Sequence, residues 1–127
     1  LMDIILLLHS RLSNTVWLFF LFLGLWGLLR ALRGQGVDGS YLGAVVIGQL
    51  LFVIEVILGA ILWAGGFLPN LARPSIHVLY GGFVLVFLPF VYLVLLRGDD
   101  SNRGQWVLGL VNLFLFGVAL RLITTGV

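Results

Sequence analysis

The sequence lacks cysteine and lysine and is poor in charge. Because none of its 127 residues is cysteine, it has no disulfides, thiolate metal sites, iron–sulfur clusters or covalently attached c-type haem. Charged residues make up 9% of the chain, far below the quarter that is typical of soluble domains. The net charge of +2 supplies no basic face for nucleic acid, so we expect no nucleic-acid partner.

Catalytic motifs are also missing from the sequence. It contains no phosphate-cradling glycine loop, no HExxH zinc motif and no GxSxG nucleophile elbow. We therefore expect that the protein is not an enzyme and that it has no catalytic residues.

The chain is instead rich in apolar residues, which make up 61% of it. Its mean hydropathy is +1.20, and a soluble fold of this length has too little interior to hide so much apolar surface. Four apolar runs of roughly 18–24 residues each alternate with polar breaks, and ~20 helical residues cross a ~30 Å hydrocarbon core. The pattern predicts an all-α integral membrane bundle of four transmembrane helices with up-down topology.

One transmembrane domain is predicted to cover residues 1–127. Its helices are expected at approximately 12–33, 41–65, 74–97 and 105–125, and the first has an alternative start at Asp3, whose side chain would cap it. Pro89 should bend the third helix. Gln49 and Asn112 lie in mid-membrane, where interhelical hydrogen bonds are their expected role.

Four crossings place both termini on one side of the membrane, named side A here. The arginines on side A are Arg11, Arg73 and Arg121, and those on the opposite side B are Arg30, Arg33, Arg97 and Arg103. The excess on side B favours a cytoplasmic side B and extracytoplasmic termini.

Glu55 lies deep in the second apolar run. An unpaired acid there costs ~2.5–3.5 kcal/mol on insertion scales, and Gly48 and Gly59 share its helical face. Arg121 reaches a similar depth in the fourth helix, so a buried Glu55–Arg121 ion pair is the simplest expectation; Arg121 could instead extend to the side A interface. Glu55 is either a structural acid or the centre of a proton-coupled carrier.

His9 and His77 are the only histidines, and the topology places both towards side A. In an up-down bundle the first and third helices are diagonal, with axes roughly 12–14 Å apart. Two inward imidazoles leave room there for one metal such as a haem iron, with Arg11, Arg73 or Arg121 near its propionates. The alternative is an interfacial role, in which each imidazole bonds water, lipid phosphate or a backbone carbonyl.

Three segments carry a resemblance: ILLLHSRLSNTVWLFFLFLGLWGLLRAL, QLLFVIEVILGAILW and RPSIHVLYGGF. They resemble a loose group of small, uncharacterised bacterial four-helix membrane proteins and look distantly like b-type cytochrome bundles. The resemblance implies a multi-pass protein of the bacterial cytoplasmic (inner) membrane. It also implies haem b as a cofactor, with His9 and His77 as axial ligands.

Three functions are consistent with these features. The first is a non-catalytic integral-membrane subunit or accessory protein of a bacterial energy-transducing complex, respiratory or photosynthetic, whose partners are lipids and other transmembrane subunits. The second is a haem b electron-transfer protein ligated by His9 and His77. The third is a proton-coupled carrier centred on Glu55.

Overall fold

The computed structural model describes residues 1–66 and 74–125, which form four long helices. These are α1 (Met2–Leu32), α2 (Gly39–Ala64), α3 (Pro74–Phe90, continued by a π-helical turn at Val91–Leu95) and α4 (Asn102–Thr125). All four are long and apolar enough to cross a membrane, and the described residues contain no strand. The predicted all-α class with four transmembrane helices is confirmed. Helix α1 begins at Met2, close to the longer of the two expected starts, but its N-cap is Leu1 and Asp3 lies within its first turn, so the expected cap by Asp3 is wrong.

The four helices form a ring in which α1 packs most extensively against α4 and then against α2. Helix α3 completes the ring by contacting α2 and α4, so α1 and α3 are diagonal. The core is filled by fully buried side chains such as Phe20, Leu23, Leu108 and Leu115. The outward side chains are mostly leucine, isoleucine, valine and phenylalanine, which is the surface that a lipid-solvated bundle requires.

Glycines allow α1 and α4 to pack closely. A Cβ added at Gly109 would lie 2.9 Å from the backbone nitrogen of Leu28 and 3.0 Å from the backbone carbon of Gly27. A Cβ at Gly24 would overlap the side chain of Leu113. Without a hydrophobic driving force between helices in lipid, such close backbone approach is a main source of association energy.

Tyr41 joins three helices in the half of the bundle nearer side B. Its hydroxyl is fully buried, donates to the carbonyl oxygen of Leu23 at 2.9 Å and accepts from the Asn112 amide at 2.9 Å. The predicted interhelical role of Asn112 is therefore confirmed.

Arg30 fastens the α1–α2 loop to α4 at side B. Its guanidinium donates to the side-chain oxygen of Gln105 at 3.2 Å and to the carbonyl of Gly36, and it lies 3.2 Å from a carboxylate oxygen of Asp38. Asp38 also caps α2 by accepting from the backbone nitrogen of Tyr41 at 2.8 Å. One arginine on α1 thus contacts two acceptors in the α1–α2 loop and one on α4.

Pro89 interrupts the hydrogen bonding of α3. Because proline has no N–H, the carbonyl of Leu85 one turn earlier loses its helical donor. The side-chain amide of Gln49 on α2 donates to that carbonyl at 2.9 Å. Gln49 therefore has the predicted interhelical role, and it satisfies the group that the proline leaves open. The π-helical turn at Val91–Leu95 follows directly.

Candidate functional site

Polar groups from all four helices meet near side A. His9 comes from α1, Glu55 from α2, His77 from α3, and the Leu122 carbonyl and Thr125 hydroxyl from α4. The ring centroids of His9 and His77 are 6.4 Å apart, and the ring planes are inclined at 77°. The two histidines therefore lie next to each other although their helices are diagonal, because both side chains point into the bundle.

The imidazole of His9 is paired with the carboxylate of Glu55. His9 Nδ1 lies 3.3 Å from Glu55 Oε2, so the two side chains are in contact, but the contact does not have the geometry of a hydrogen bond. Glu55 is only 9% exposed, and its Oε1 has no hydrogen-bond partner in the described structure. A Cβ at Gly59 would lie 3.4 Å from Cε1 of His9, so the glycine leaves the ring room beside α2.

The imidazole of His77 is held by the end of α4. Its Nδ1 lies 2.9 Å from the carbonyl oxygen of Leu122 and 3.2 Å from the hydroxyl of Thr125. The carbonyl can only accept, so the contact fixes the tautomer with a proton on Nδ1. Within residues 1–66 and 74–125, neither histidine has a hydrogen-bond partner at Nε2. Metal-ligating histidines commonly use one ring nitrogen to bond a carboxylate or carbonyl and the other to bind the metal.

The structure differs from the expected Glu55–Arg121 pair. Arg121 is exposed rather than buried, and Glu55 faces His9 instead. The rotation of α4 explains this, because it turns the neighbouring Leu122 carbonyl towards His77 and Arg121 towards the outer surface, where a long side chain can extend to the interface. Of the other two arginines proposed for propionates, Arg73 lies outside the described residues and Arg11 is exposed.

A small cavity adjoins Glu55. It has a volume of about 30 Å³ and is also lined by Ser13, Val16, Phe52 and Leu122, together with Ala119. A cavity of this size holds one water molecule, for which the unpaired Oε1 of Glu55 is a suitable acceptor.

An apolar layer lies between this site and the Tyr41 network. The rings of Phe20 and Phe52 are stacked with centroids 4.7 Å apart, and both are buried together with Leu115. In the described part of the chain, no polar side chain within this layer connects Glu55 to Asn112. The arrangement offers little support for a proton path across the membrane, which a carrier centred on Glu55 would need.

The side chains at the site are too few to hold a bare metal ion. Among the described residues, no group of three or more histidine, cysteine, aspartate or glutamate side chains is arranged to bind one. Two imidazoles suit a metal that brings its remaining ligands with it, as the iron of a porphyrin does.

Two parts of the site were not expected from the sequence. The Leu122 carbonyl is a backbone group, so it leaves no sequence signal, and Thr125 was not singled out. The pairing of His9 with Glu55 could have been found from their common depth near side A. Comparison with models of protein families, with curated proteins and with solved structures finds no match to this chain.

Proposed function

We propose that this protein is an integral-membrane electron-transfer subunit of a bacterial energy-transducing complex and that it binds one haem b between His9 and His77. The observation that carries the proposal is the meeting of the only two histidines, from diagonal helices, inside an otherwise apolar bundle.

The spacing of the rings is suitable for shared ligation. A metal bonded at ~2.0–2.1 Å to one nitrogen of each imidazole holds the ring centroids about 6 Å apart. The observed separation of 6.4 Å is close to that value. Glu55 and the Leu122 carbonyl occupy the Nδ1 sides of the two rings, which leaves Nε2 as the ligating atom of each.

If haem is bound, the flat ring would have to lie on the α3 side of the site. The cavity beside Glu55 has room for only one water, so a macrocycle would have to lie elsewhere. Gly81 follows His77 by one helical turn on the same face, and a Cβ added there would meet nothing within 4 Å. Arg121 is an exposed arginine near side A, and it is the described candidate for pairing with a propionate if haem is bound.

We propose a subunit rather than a complete electron-transfer protein because this chain can ligate only one haem. Bound haem supplies one one-electron couple, and two histidines can ligate only one haem. The site lies near side A, so electron transfer to side B needs another centre, which a partner subunit would have to provide.

An optical measurement tests the proposal. The protein is purified after expression with ample haem, and its reduced-minus-oxidised spectrum is recorded for the wild type and for His9→Ala and His77→Ala. We expect the α-band of six-coordinate low-spin haem b in the wild type, its loss in both variants, and no change in Val78→Ala, an exposed neighbour of His77. A wild type without an α-band, or one whose band survives both histidine substitutions, would contradict the proposal.

A non-catalytic accessory subunit without a cofactor is the second candidate. It is favoured by Gly82 and Gly117, which are exposed glycines on α3 and α4 with no neighbour within 4 Å of an added Cβ. Small residues on an outer face allow a partner helix to approach closely. Native mass spectrometry of gently solubilised membranes distinguishes this candidate, because it predicts a stable complex that contains no haem.

A further inference from the structure

A groove of about 360 Å³ opens between the outer faces of α1 and α2, and it shares no lining residue with the cavity beside Glu55. Two rows of side chains with helical spacing form its walls, four from α1 and two from α2. The lining residues are Leu8, Arg11, Leu12, Thr15, Ile54 and Leu58.

Two of the lining residues are polar, and both belong to α1. Arg11 and Thr15 are four residues apart, so they lie on the same face of the helix, one turn from each other. Arg11 is exposed, and no carboxylate lies within 4.0 Å of its guanidinium in the described structure. The groove thus combines apolar walls with one cation that is not paired with any carboxylate of residues 1–66 or 74–125.

The depth of Arg11 places that cation where lipid phosphates lie. Arg11 and Arg30 are both on α1 and are nineteen residues apart, which corresponds to about 28 Å along a helix. This length is close to the ~30 Å thickness of the hydrocarbon core. Arg30 contacts the α1–α2 loop at side B, so Arg11 lies near the boundary of the hydrocarbon core at side A.

We propose that the groove is a binding site for one anionic phospholipid. The Arg11 guanidinium pairs with the phosphate, the Thr15 hydroxyl lies one turn deeper beside the ester groups, and an acyl chain packs between Leu12 and Ile54. A headgroup with net negative charge is preferred over a zwitterionic one because it has no cation of its own to compete with the guanidinium. The site is independent of the haem proposal.

Native mass spectrometry tests the site directly. The protein is released from nanodiscs that contain equal amounts of phosphatidylglycerol and phosphatidylcholine with identical acyl chains, and the lipid retained per protein is counted. We expect one phosphatidylglycerol retained in preference to phosphatidylcholine. Arg11→Gln should lower that retention about fivefold, the factor that corresponds to ~1 kcal/mol for one basic residue near a lipid surface.

Two further variants separate this site from general attraction to lipid. Arg121→Gln removes an exposed arginine of the same side that does not line the groove, and it should leave retention unchanged. Ile54→Trp fills the groove at a position that is 46% exposed, so it should fold and yet lose the lipid with Arg11 in place. Equal retention of both lipids, unchanged retention in Arg11→Gln or Ile54→Trp, or an equal loss in Arg121→Gln would overturn the proposal.

Discussion

Replacing Gly27 by alanine should destabilise the bundle at its tightest crossing. The added Cβ would overlap the hydroxyl oxygen of Tyr41 and would lie 2.9 Å from the Cα of Gly109. To relieve the overlap, the Tyr41 ring must move away from the Leu23 carbonyl and the Asn112 amide, each of which it bonds at 2.9 Å.

The expected magnitude combines three effects. Two hydrogen bonds in a membrane protein contribute about 0.6 kcal/mol each on average. Overpacking a core typically costs about 1–3 kcal/mol. Alanine has a better helix propensity than glycine, and this offsets about 1 kcal/mol of the loss. The free energy of unfolding should therefore fall by about 1–3 kcal/mol in Gly27→Ala.

The assay is reversible unfolding in mixed micelles, followed by far-ultraviolet circular dichroism as the fraction of denaturing detergent increases. Gly117→Ala is the matched control, because Gly117 also lies within a helix but a Cβ there would meet nothing within 4 Å. Gly117→Ala should be neutral or slightly stabilising. Equal unfolding free energies for the two variants would refute the close packing of α1, α2 and α4 around Tyr41.

Two further substitutions test the polar contacts between helices by the same unfolding assay. Gln49→Leu should lower the free energy of unfolding by about 0.6–1.7 kcal/mol, because it leaves the Leu85 carbonyl without a donor in lipid. A stability equal to that of the wild type would show that this carbonyl does not depend on Gln49 for its hydrogen bond. Arg30→Leu should lower the free energy of unfolding by about 1–3 kcal/mol, because the part-buried side-chain oxygen of Gln105 loses its donor. The control is Arg33→Leu, which replaces an exposed arginine and should change the stability little. Equal effects of the two substitutions would contradict the contacts described for Arg30.

The number and type of helices followed from the sequence because lipid leaves the backbone few choices. A chain in hydrocarbon must satisfy every N–H and C=O internally, so the length of each apolar run predicts a spanning helix. The same reasoning explains why Gln49 and Asn112 were expected to bond across helices, as they do. The diagonal placement of His9 and His77 followed from the order of four short-looped helices.

The partner of Glu55 could not be predicted in the same way. His9 and Arg121 were both near side A, and the choice between them depends on the rotation of α1 and α4 about their own axes. Apolar residues surround most of each helix, so hydropathy fixes depth well and rotation poorly. The acceptor for His77 was beyond sequence reasoning for another reason, because it is the backbone carbonyl of Leu122.

The convergence of His9 and His77 is the central claim, and cross-linking tests it most directly. The chain contains no cysteine, so His9→Cys combined with His77→Cys creates the only two thiols. A short bifunctional thiol reagent should join them within one chain, whereas His9→Cys combined with Arg33→Cys, at the opposite end of α1, should not cross-link. Failure of the 9–77 pair to cross-link within a monomer, in a variant that remains folded by circular dichroism, would contradict the meeting of these two helices at the proposed site.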